Sequence, residues 1–299
     1  MILSRINLNE IDWQFADGSS FHFTIARLDE LHRVVSGNKY FKLKYNLQKT
    51  ITEGKNGIVT MGGSYSNHLA ATAFACNENG LKSIGIIRGE IQKPLNGTLQ
   101  FCETMNMQLI AINRNEFNRQ SNTVENILNE NEDFFFVPEG GDNEEGIEGC
   151  KEILSFIDHA DSYSHIICCI GTGTTFKGIS ASAKKGQTII GIPVLKIKEK
   201  EKQRFIEKHT YIKSNADNIV LFDFAGAGYA RYNQHQLNFM NLFYNKTGIP
   251  TDIVYTGKLM QAVITLAQQK YFKLNSNVLV IHSGGLQGNN SLKQEELCF

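Results

Sequence analysis

Residues 165–175 read HIICCIGTGTT, and this stretch decides the fold class. Its first six residues form an almost wholly apolar run, which is typical of a strand buried on both faces of a parallel sheet. The next five residues are all Gly or Thr, and the pattern at 176–184 predicts a helix. A buried strand that turns through small residues into a helix is the repeating unit of parallel α/β sheets.

The same alternation of strand and helix continues on both sides of this stretch. Apolar runs predict further strands at 57–61, 83–87, 107–112, 134–137 and 189–195. Helical patterns between them predict helices at 67–78, 95–105, 123–129 and 145–157. Continuous apolar strands separated by helices predict an α/β protein with mostly parallel sheets.

The composition limits the class of function. The chain has 299 residues, with 30 basic and 30 acidic side chains and a formal net charge of zero. This balance argues against nucleic acid or an anionic membrane as partner, because both are bound by an excess of Lys and Arg. No apolar run approaches the ~20 residues of a membrane span. The N-terminus has no signal-peptide pattern and the six cysteines form no CxxC pair, so we expect reduced thiols in a cytoplasmic protein.

Two loops rich in Gly and hydroxyl residues lie between a predicted strand and a predicted helix. One is GTGTT at 171–175, and the other is GGSYSNH at 62–68. Both suit an anion, because a helix N-terminus presents free N–H groups and the positive end of its dipole. A purely structural turn stays open for each, with Ser66 as an ordinary N-cap in the second. The first is neither a Walker A loop nor a dinucleotide fingerprint, since Phe176 replaces the third glycine, and we expect a single phosphate there, held without a lysine.

A third stretch, SGNK at 36–39, places a lysine on a glycine turn before a basic helix. Taken alone, such a lysine is usually a solvated surface residue. Together with two anion sites, it would suit a phosphorylated aldehyde cofactor and an amino-acid carboxylate, since a neutral buried amine can form a Schiff base. The eight histidines show no metal-binding spacing, so we predict no metal site.

Six motifs in order resemble one family of pyridoxal-phosphate enzymes, which comprises 1-aminocyclopropane-1-carboxylate (ACC) deaminase and D-cysteine desulfhydrase. The motifs are SGNKYFKLKYNL, GGSYSNHLAATA, PEGG, GTGTT, VYTGK and HSGG. The resemblance implies two three-layer α/β domains with twisted, mostly parallel sheets and the cofactor in the cleft between them, the tryptophan-synthase-β-like fold of type II. It implies a large domain at 1–42 and 158–299, a small inserted domain at 43–157, pyridoxal 5'-phosphate as cofactor, a small amino acid as substrate and a homodimer.

The resemblance also implies roles for individual residues. Lys39 would hold the cofactor, and Thr256 would meet its pyridine nitrogen. The phosphate would lie on Gly171, Thr172, Gly173, Thr174 and Thr175. The substrate is expected beside Ser66, Asn67, His68 and Ser283, and Asn67 would also contact the pyridoxal hydroxyl. Tyr229 and Tyr255 match the two active-site tyrosines, so the predicted catalytic residues are Lys39, Ser66 and these two phenols.

Two positions bear on the choice of reaction. The deaminase pattern has Glu and Leu where this chain has Thr256 and Ser283, and hydroxyls at these places match the desulfhydrase pattern. A carboxylate favours protonation of the pyridine nitrogen, whereas a hydroxyl can donate to a neutral one. We therefore predict β-elimination from D-cysteine, giving pyruvate, ammonia and hydrogen sulfide. ACC deaminase is the alternative, and a non-catalytic pyridoxal-phosphate-binding homologue is the alternative from another class.

Overall fold

A computed structural model describes residues 5–118, 121–293 and 295–299. Its strands and α-helices, in chain order, are β1 (Leu8–Gln14), β2 (Ser20–Arg27), α1 (Asn38–Thr52), β3 (Gly57–Gly62), α2 (Asn67–Glu78), β4 (Lys82–Arg88), α3 (Gly97–Thr104), β5 (Met107–Ile112), α4 (Asn122–Asn129), β6 (Phe134–Val137), α5 (Glu144–Lys151), β7 (His165–Ile170), α6 (Thr174–Ser182), β8 (Thr188–Pro193), α7 (Glu199–Thr210), β9 (Asp217–Val220), α8 (Gln234–Thr247), α9 (Thr256–Gln268) and β10 (Val278–His282).

The strands form two sheets. The larger sheet has the order β1-β2-β10-β7-β8-β9, and the smaller has the order β5-β4-β3-β6. Only the β1–β2 pair is antiparallel among the described pairs; the others are parallel. The predicted α/β fold with mostly parallel sheets is therefore confirmed.

Strand β7 shows why the apolar run at its position is continuous. Ile166, Cys168 and Ile170 pack in one core cluster with Phe176 of α6. Ile167 and Cys169 point the other way and pack with α8 and α9. Successive side chains of a strand point to opposite faces, so a sheet covered by helices on both sides needs apolar residues at every position.

The smaller sheet lies within the segment that we assign to an inserted domain. Its four strands fall between residues 57 and 137. Helix α1, at Asn38–Thr52, runs across the proposed boundary between residues 42 and 43, so that boundary falls inside a helix. The division of the chain into two domains stays a prediction.

Two features of the described residues bear on partners. Across residues 5–118, 121–293 and 295–299, no helix has both the length and the apolar content that a membrane crossing requires. The same ranges contain no group of three or more His, Cys, Asp or Glu side chains placed to hold a metal ion.

Candidate active site

Helix α1 begins in close contact with the loop that follows β10. Gly37 has a φ of +66°, and a Cβ at this position would lie 2.0 Å from the carbonyl oxygen of Ser283. The Asn38 N–H donates a hydrogen bond to that same oxygen, at 3.1 Å. Only glycine fits such an approach, so the turn before Lys39 is fixed against the larger sheet.

Lys39 lies in the first turn of α1 and is partly buried. Its Nζ donates to Asn38 Oδ1 at 2.7 Å. Burial, helped by the nearby charge of Lys42, lowers the pKa of Lys39 to about 7. A substantial fraction of this amine is therefore unprotonated at neutral pH, as a nucleophile or a base requires.

Asn38 connects Lys39 to the loop at 171–175. It is 9% exposed, and its Nδ2 donates to Thr175 Oγ1 at 2.8 Å. The amide therefore places the lysine two hydrogen bonds from the predicted phosphate loop. We did not single out Asn38 in the sequence, where its only signal was its place before the lysine.

The loop at 171–175, which we call the cradle, consists of small neutral residues at the N-terminus of α6. Gly173 has a φ of +96°, and a Cβ there would lie 2.9 Å from Nδ1 of His209. The hydroxyls of Thr172 and Thr174 are 3.1 Å apart. Free N–H groups of the helix and adjacent hydroxyls can together bind a phosphate.

A second lysine of α1 lies near this loop, although we expect the phosphate to be held without a lysine. Lys42 is 5% exposed, and its Nζ donates to the carbonyl oxygen of Gly140 at 2.9 Å. A Cβ on Gly140 would lie 2.9 Å from Thr172, so the ammonium is close to the cradle. Burial lowers the pKa of Lys42.

The two lysines fit the predicted phosphorylated aldehyde. Within the described residues, neither Lys39 nor Lys42 has a carboxylate within ion-pair distance. Buried ammonium groups are costly without a counter-charge, and a phosphate on the adjacent cradle would supply it. The amine of Lys39 is then available for an aldehyde.

Ser66, the last residue of the loop before α2, and Asn67, the first residue of that helix, are two of the predicted substrate-binding residues. Ser66 Oγ accepts the N–H of Leu69 at 3.4 Å, as an N-cap does. Asn67 Nδ2 donates to the carbonyl oxygen of Gly285 at 3.3 Å, which joins the loops of the two sheets. The second contact places Asn67 beside the loop that contains Ser283, and Ser66 precedes Asn67 in the chain.

His68 lies deeper than Ser66 and Asn67. It is 2% exposed, and its Nε2 is 2.9 Å from Thr60 Oγ1. Burial and the charges of Lys39 and Lys42 lower the pKa of His68 well below its usual value, so the imidazole is neutral. The predicted contact of His68 with substrate stays a prediction.

The two predicted tyrosines contact each other. The hydroxyl oxygens of Tyr229 and Tyr255 are 3.3 Å apart, and the ring planes meet at 75°. The Tyr255 ring also lies against Gly171 of the cradle. Burial raises the pKa of both phenols, so both are protonated at neutral pH and can donate.

Thr256 is engaged by a buried carboxylate that the sequence analysis did not consider. Its Oγ1 donates to Asp252 Oδ1 at 2.7 Å and accepts the Asp252 N–H at 2.8 Å. The carboxylate also accepts the N–H groups of Val254, Tyr255 and Thr256. Our argument from the sequence requires this hydroxyl to donate into the cleft, and its one proton goes to Asp252 instead.

The loop after β10 is held by a buried network of hydrogen bonds that begins at His282. His282 is fully buried, with Nδ1 at 2.9 Å from Asp29 Oδ1 and Nε2 at 2.8 Å from the Pro250 carbonyl oxygen. Asp29 in turn accepts hydrogen bonds from Arg27 at 2.9 and 2.7 Å. This network holds Ser283, which is 8% exposed, at the start of α1.

These contacts bring the predicted residues around one cleft. Lys39 reaches Thr175 through Asn38, Tyr229 reaches Gly171 through Tyr255, and Asn67 reaches the loop of Ser283. Three residues that we did not assign from the sequence complete the set: Asn38, Lys42 and Asp252. Each is buried; Asn38 and Asp252 contact residues that we did assign, and Lys42 contacts Gly140.

The chain matches a family model, and it also matches curated proteins. Residues 24–284 match the model described as "Pyridoxal-phosphate dependent enzyme". A protein of Thermotoga maritima named "Putative 1-aminocyclopropane-1-carboxylate deaminase" is 28% identical over 285 residues, which cover 90% of each chain. A protein of the same name from Pyrococcus abyssi is 27% identical over 272 residues, which cover 85% of this chain and 81% of that protein.

A solved structure shares the fold. The structure titled "Crystal Structure Analysis of the ACC deaminase homologue" superposes with a TM-score of 0.77, at 21% identity, and covers 95% of this chain and 90% of that one. The predicted two-sheet fold of type II is confirmed by this likeness.

Proposed function

Because this chain belongs to the family of pyridoxal-phosphate dependent enzymes, its cofactor is pyridoxal phosphate, and we propose that it is a lyase that releases ammonia from a small amino acid. We propose D-cysteine as the substrate, with the overall reaction D-cysteine + H2O giving pyruvate, ammonia and hydrogen sulfide. The bound cofactor supplies the electron sink of the reaction. The protein's own residues bind the substrate, orient it and move its protons.

One observation carries the proposal: the amine of Lys39, which has a lowered pKa, lies near two loops that suit the binding of an anion, at 171–175 and 62–68. Lys39, with a pKa of about 7, is linked through Asn38 to the cradle at 171–175. The N-terminus of α2, which begins at Asn67, is joined through Asn67 to Gly285, in the loop that also contacts the start of α1. An amino acid that carries a carboxylate next to a reactive carbon matches this arrangement.

We assign roles to the residues around that amine. Ser66 and the free N–H groups of α2 bind the substrate carboxylate, and Asn67 orients it. Lys39 in its neutral form removes the α-proton as a general base. Tyr229 and Tyr255, both protonated at neutral pH, are the residues to which we assign donation of a proton to the departing thiolate. We leave the choice between the two phenols to mutagenesis.

The preference for D-cysteine rests on the residue types at 256 and 283 and on the chemistry of the leaving group, although the Thr256 proton is donated to Asp252. Thr256 and Ser283 match the desulfhydrase pattern, and a thiolate leaves a β-carbon more readily than an unactivated cyclopropane ring opens. ACC, which would give 2-oxobutanoate and ammonia, is the second candidate. Two observations favour it: the names of the relatives from Thermotoga maritima and Pyrococcus abyssi, and the buried Asp252 carboxyl group that accepts a hydrogen bond from the Thr256 hydroxyl.

A direct comparison of substrates tests the proposal. Purified protein loaded with pyridoxal phosphate is incubated separately with D-cysteine, L-cysteine and ACC, and the 2-oxoacid formed is measured, together with sulfide from the cysteines. Pyruvate and sulfide from D-cysteine in equal amounts are expected. Turnover of ACC alone would transfer the assignment to ACC deaminase. A protein that binds the cofactor but turns over none of them would be a non-catalytic homologue.

We also propose a homodimer that acts in the cytoplasm, with domains at 1–42 plus 158–299 and at 43–157. The family resemblance supports the dimer and the domain bounds, and the sparse cysteines without a CxxC pair support the cytoplasm. Light scattering of the purified protein tests the dimer, with twice the mass of the 33.6 kDa chain expected.

A further inference from the structure

Two backbone hydrogen bonds form turns within the loop that carries Tyr229: the Gly228 N–H donates to the Ala225 carbonyl oxygen at 3.0 Å, and the Arg231 N–H donates to that of Gly228 at 3.2 Å. The loop runs from the end of β9 to the start of α8, and three of its residues have positive φ: Gly226 at +58°, Gly228 at +103° and Ala230 at +52°. A positive φ at a non-glycine residue persists only where the surroundings impose it. An open cleft of about 410 Å³ lies beside the loop, and Gly226 and Lys258 both line it.

A buried lysine makes contact with this loop from behind. Lys258 is 1% exposed and lies in the first turn of α9, three residues after Tyr255. Its Nζ donates to the carbonyl oxygen of Gly228 at 2.5 Å and lies 3.5 Å from that of Val194. In the part of the chain that the structure describes, Lys258 has no carboxylate within ion-pair distance.

This position is unfavourable for a lysine that only fills space. Burial without a paired charge lowers the pKa of Lys258 to about 8 and opposes the charged form. A cation in the first turn of a helix also meets the positive end of the helix dipole. The next two residues, Leu259 and Met260, are fully buried and apolar, and such a side chain would fill the same place at lower cost. The benefit of a lysine here is therefore its hydrogen bond to Gly228.

We propose that Lys258 is a positioning residue that ties the Gly228 carbonyl to α9, and thereby keeps the Tyr229 phenol beside that of Tyr255. Tyr229 follows Gly228 directly, and Tyr255 is the N-cap of the helix that carries Lys258. The lysine and the pair of phenols thus form two links between the same loop and the same helix. The inference rests on the proposed function in one respect only, which is that Tyr229 takes part in the reaction.

Limited proteolysis tests the tether without reference to activity. Arg231 is exposed and lies two residues from Tyr229, so trypsin reports on the opening of this loop. In the protein without cofactor, Lys258→Met should raise the rate of cleavage after Arg231 about tenfold, while cleavage after the exposed Lys213 is unchanged. Lys273→Met removes a charge from the exposed segment after α9 and is the matched control. An unchanged rate at Arg231, or an equal rise at both sites, would overturn the inference.

A double-mutant cycle tests whether the lysine acts through Tyr229. With the substrate that the holoenzyme turns over, Lys258→Met and Tyr229→Phe should each lower kcat, and the double variant should be no slower than Tyr229→Phe. If the double variant lost kcat by the product of the two single losses, the inference would be contradicted. If Lys258→Met does not fold, Lys258→Gln retains a donor, and its cleavage at Arg231 should stay nearer to that of the natural protein than to that of Lys258→Ala. If no substrate is turned over, the proposed function fails, and the cleavage rates still decide on the tether.

Discussion

Replacement of Asp29 by Asn should destabilise the protein, although Asp29 lies behind the cleft and not in it. The Asp29 side chain is 3% exposed and pairs with both Arg27 and His282. Burial raises the pKa of this carboxyl, but the hydrogen bonds and charges of His282 and Arg27 outweigh burial and lower the pKa to about 2. The network anchors β10 and the loop of Ser283, so its loss should also loosen one wall of the cleft.

The magnitude follows from the shift of the pKa. A fall from 3.8 to about 2 is nearly two units, and each unit corresponds to about 1.4 kcal/mol. The ionised carboxylate should therefore contribute about 2 to 3 kcal/mol to the free energy of unfolding. Because the folded pKa is the lower one, this contribution is present above pH 4 and is lost as the pH falls towards 2. Asp29→Asn should lose it at pH 7.

Urea unfolding at several pH values measures the effect. The control is Asp12→Asn, which removes a carboxylate that also pairs with a histidine, His22, at 2.8 Å. That pair is exposed, at 74% and 53%, so the control should change stability by less than ~0.5 kcal/mol. Equal stability of Asp29→Asn and Asp12→Asn at pH 7 would refute the reasoning.

Three further predictions concern the cradle. Asn38→Ala removes the link between Lys39 and Thr175 and should weaken cofactor binding by at least tenfold, measured by titration of the visible absorbance; an unchanged affinity would contradict the role of Asn38. Lys42→Met removes a buried ammonium that has no carboxylate partner, so it should raise the unfolding free energy of the cofactor-free protein by about 1 kcal/mol or more while weakening its binding of inorganic phosphate; tighter phosphate binding would be the opposite result. Gly173→Ala places a Cβ 2.9 Å from His209 at a φ of +96° and should lower stability by about 1–3 kcal/mol in thermal unfolding, and a neutral outcome would show that the loop can adjust.

Several elements could be read from the sequence because one physical signal determined each of them. The strands predicted at 107–112, 134–137 and 165–170 and the helix predicted at 67–78 have the bounds that the structure shows. Each is a continuous apolar run, or in the case of the helix an Ala-rich segment with a capping serine and a closing Asn-Gly pair. Burial along β7 and the capped end of α2 leave little choice of boundary in those two elements, whereas β5 and β6 are only partly buried.

Other elements were missed where tertiary contacts set the structure. The β1–β2 hairpin is largely exposed on one face, and its polar residues gave no apolar run. The helix predicted at 145–157 ends as α5 at Lys151 and continues as a 3-10 turn over Ile153–Phe156. Pairing with β10 determines the strand β2, and packing against α1 and α6 determines the end of α5. The local sequence pattern does not contain these long-range contacts.

The candidate site likewise contains residues that the sequence predicts and residues that only long-range contacts reveal. Glycines and hydroxyls mark both loops in the sequence, because only small residues permit such close approach. Lys42 looked like an ordinary residue of a basic helix, and its burial beside Gly140 depends on a contact across 98 residues. Asp252 and Asn38 likewise gain their meaning from partners, and the hydrogen bond from Asn38 to Thr175 spans 137 residues.

The central claim is that the amine of Lys39 binds the aldehyde of the cofactor. Reduction of the loaded protein with borohydride, followed by proteolysis and mass spectrometry, locates the lysine that carries the pyridoxyl group. We expect the added mass on Lys39, and no added mass there in Lys39→Ala, which should also lack the visible absorbance of the natural holoenzyme. A pyridoxyl group found instead on Lys42 or Lys258 in the natural protein would contradict the account.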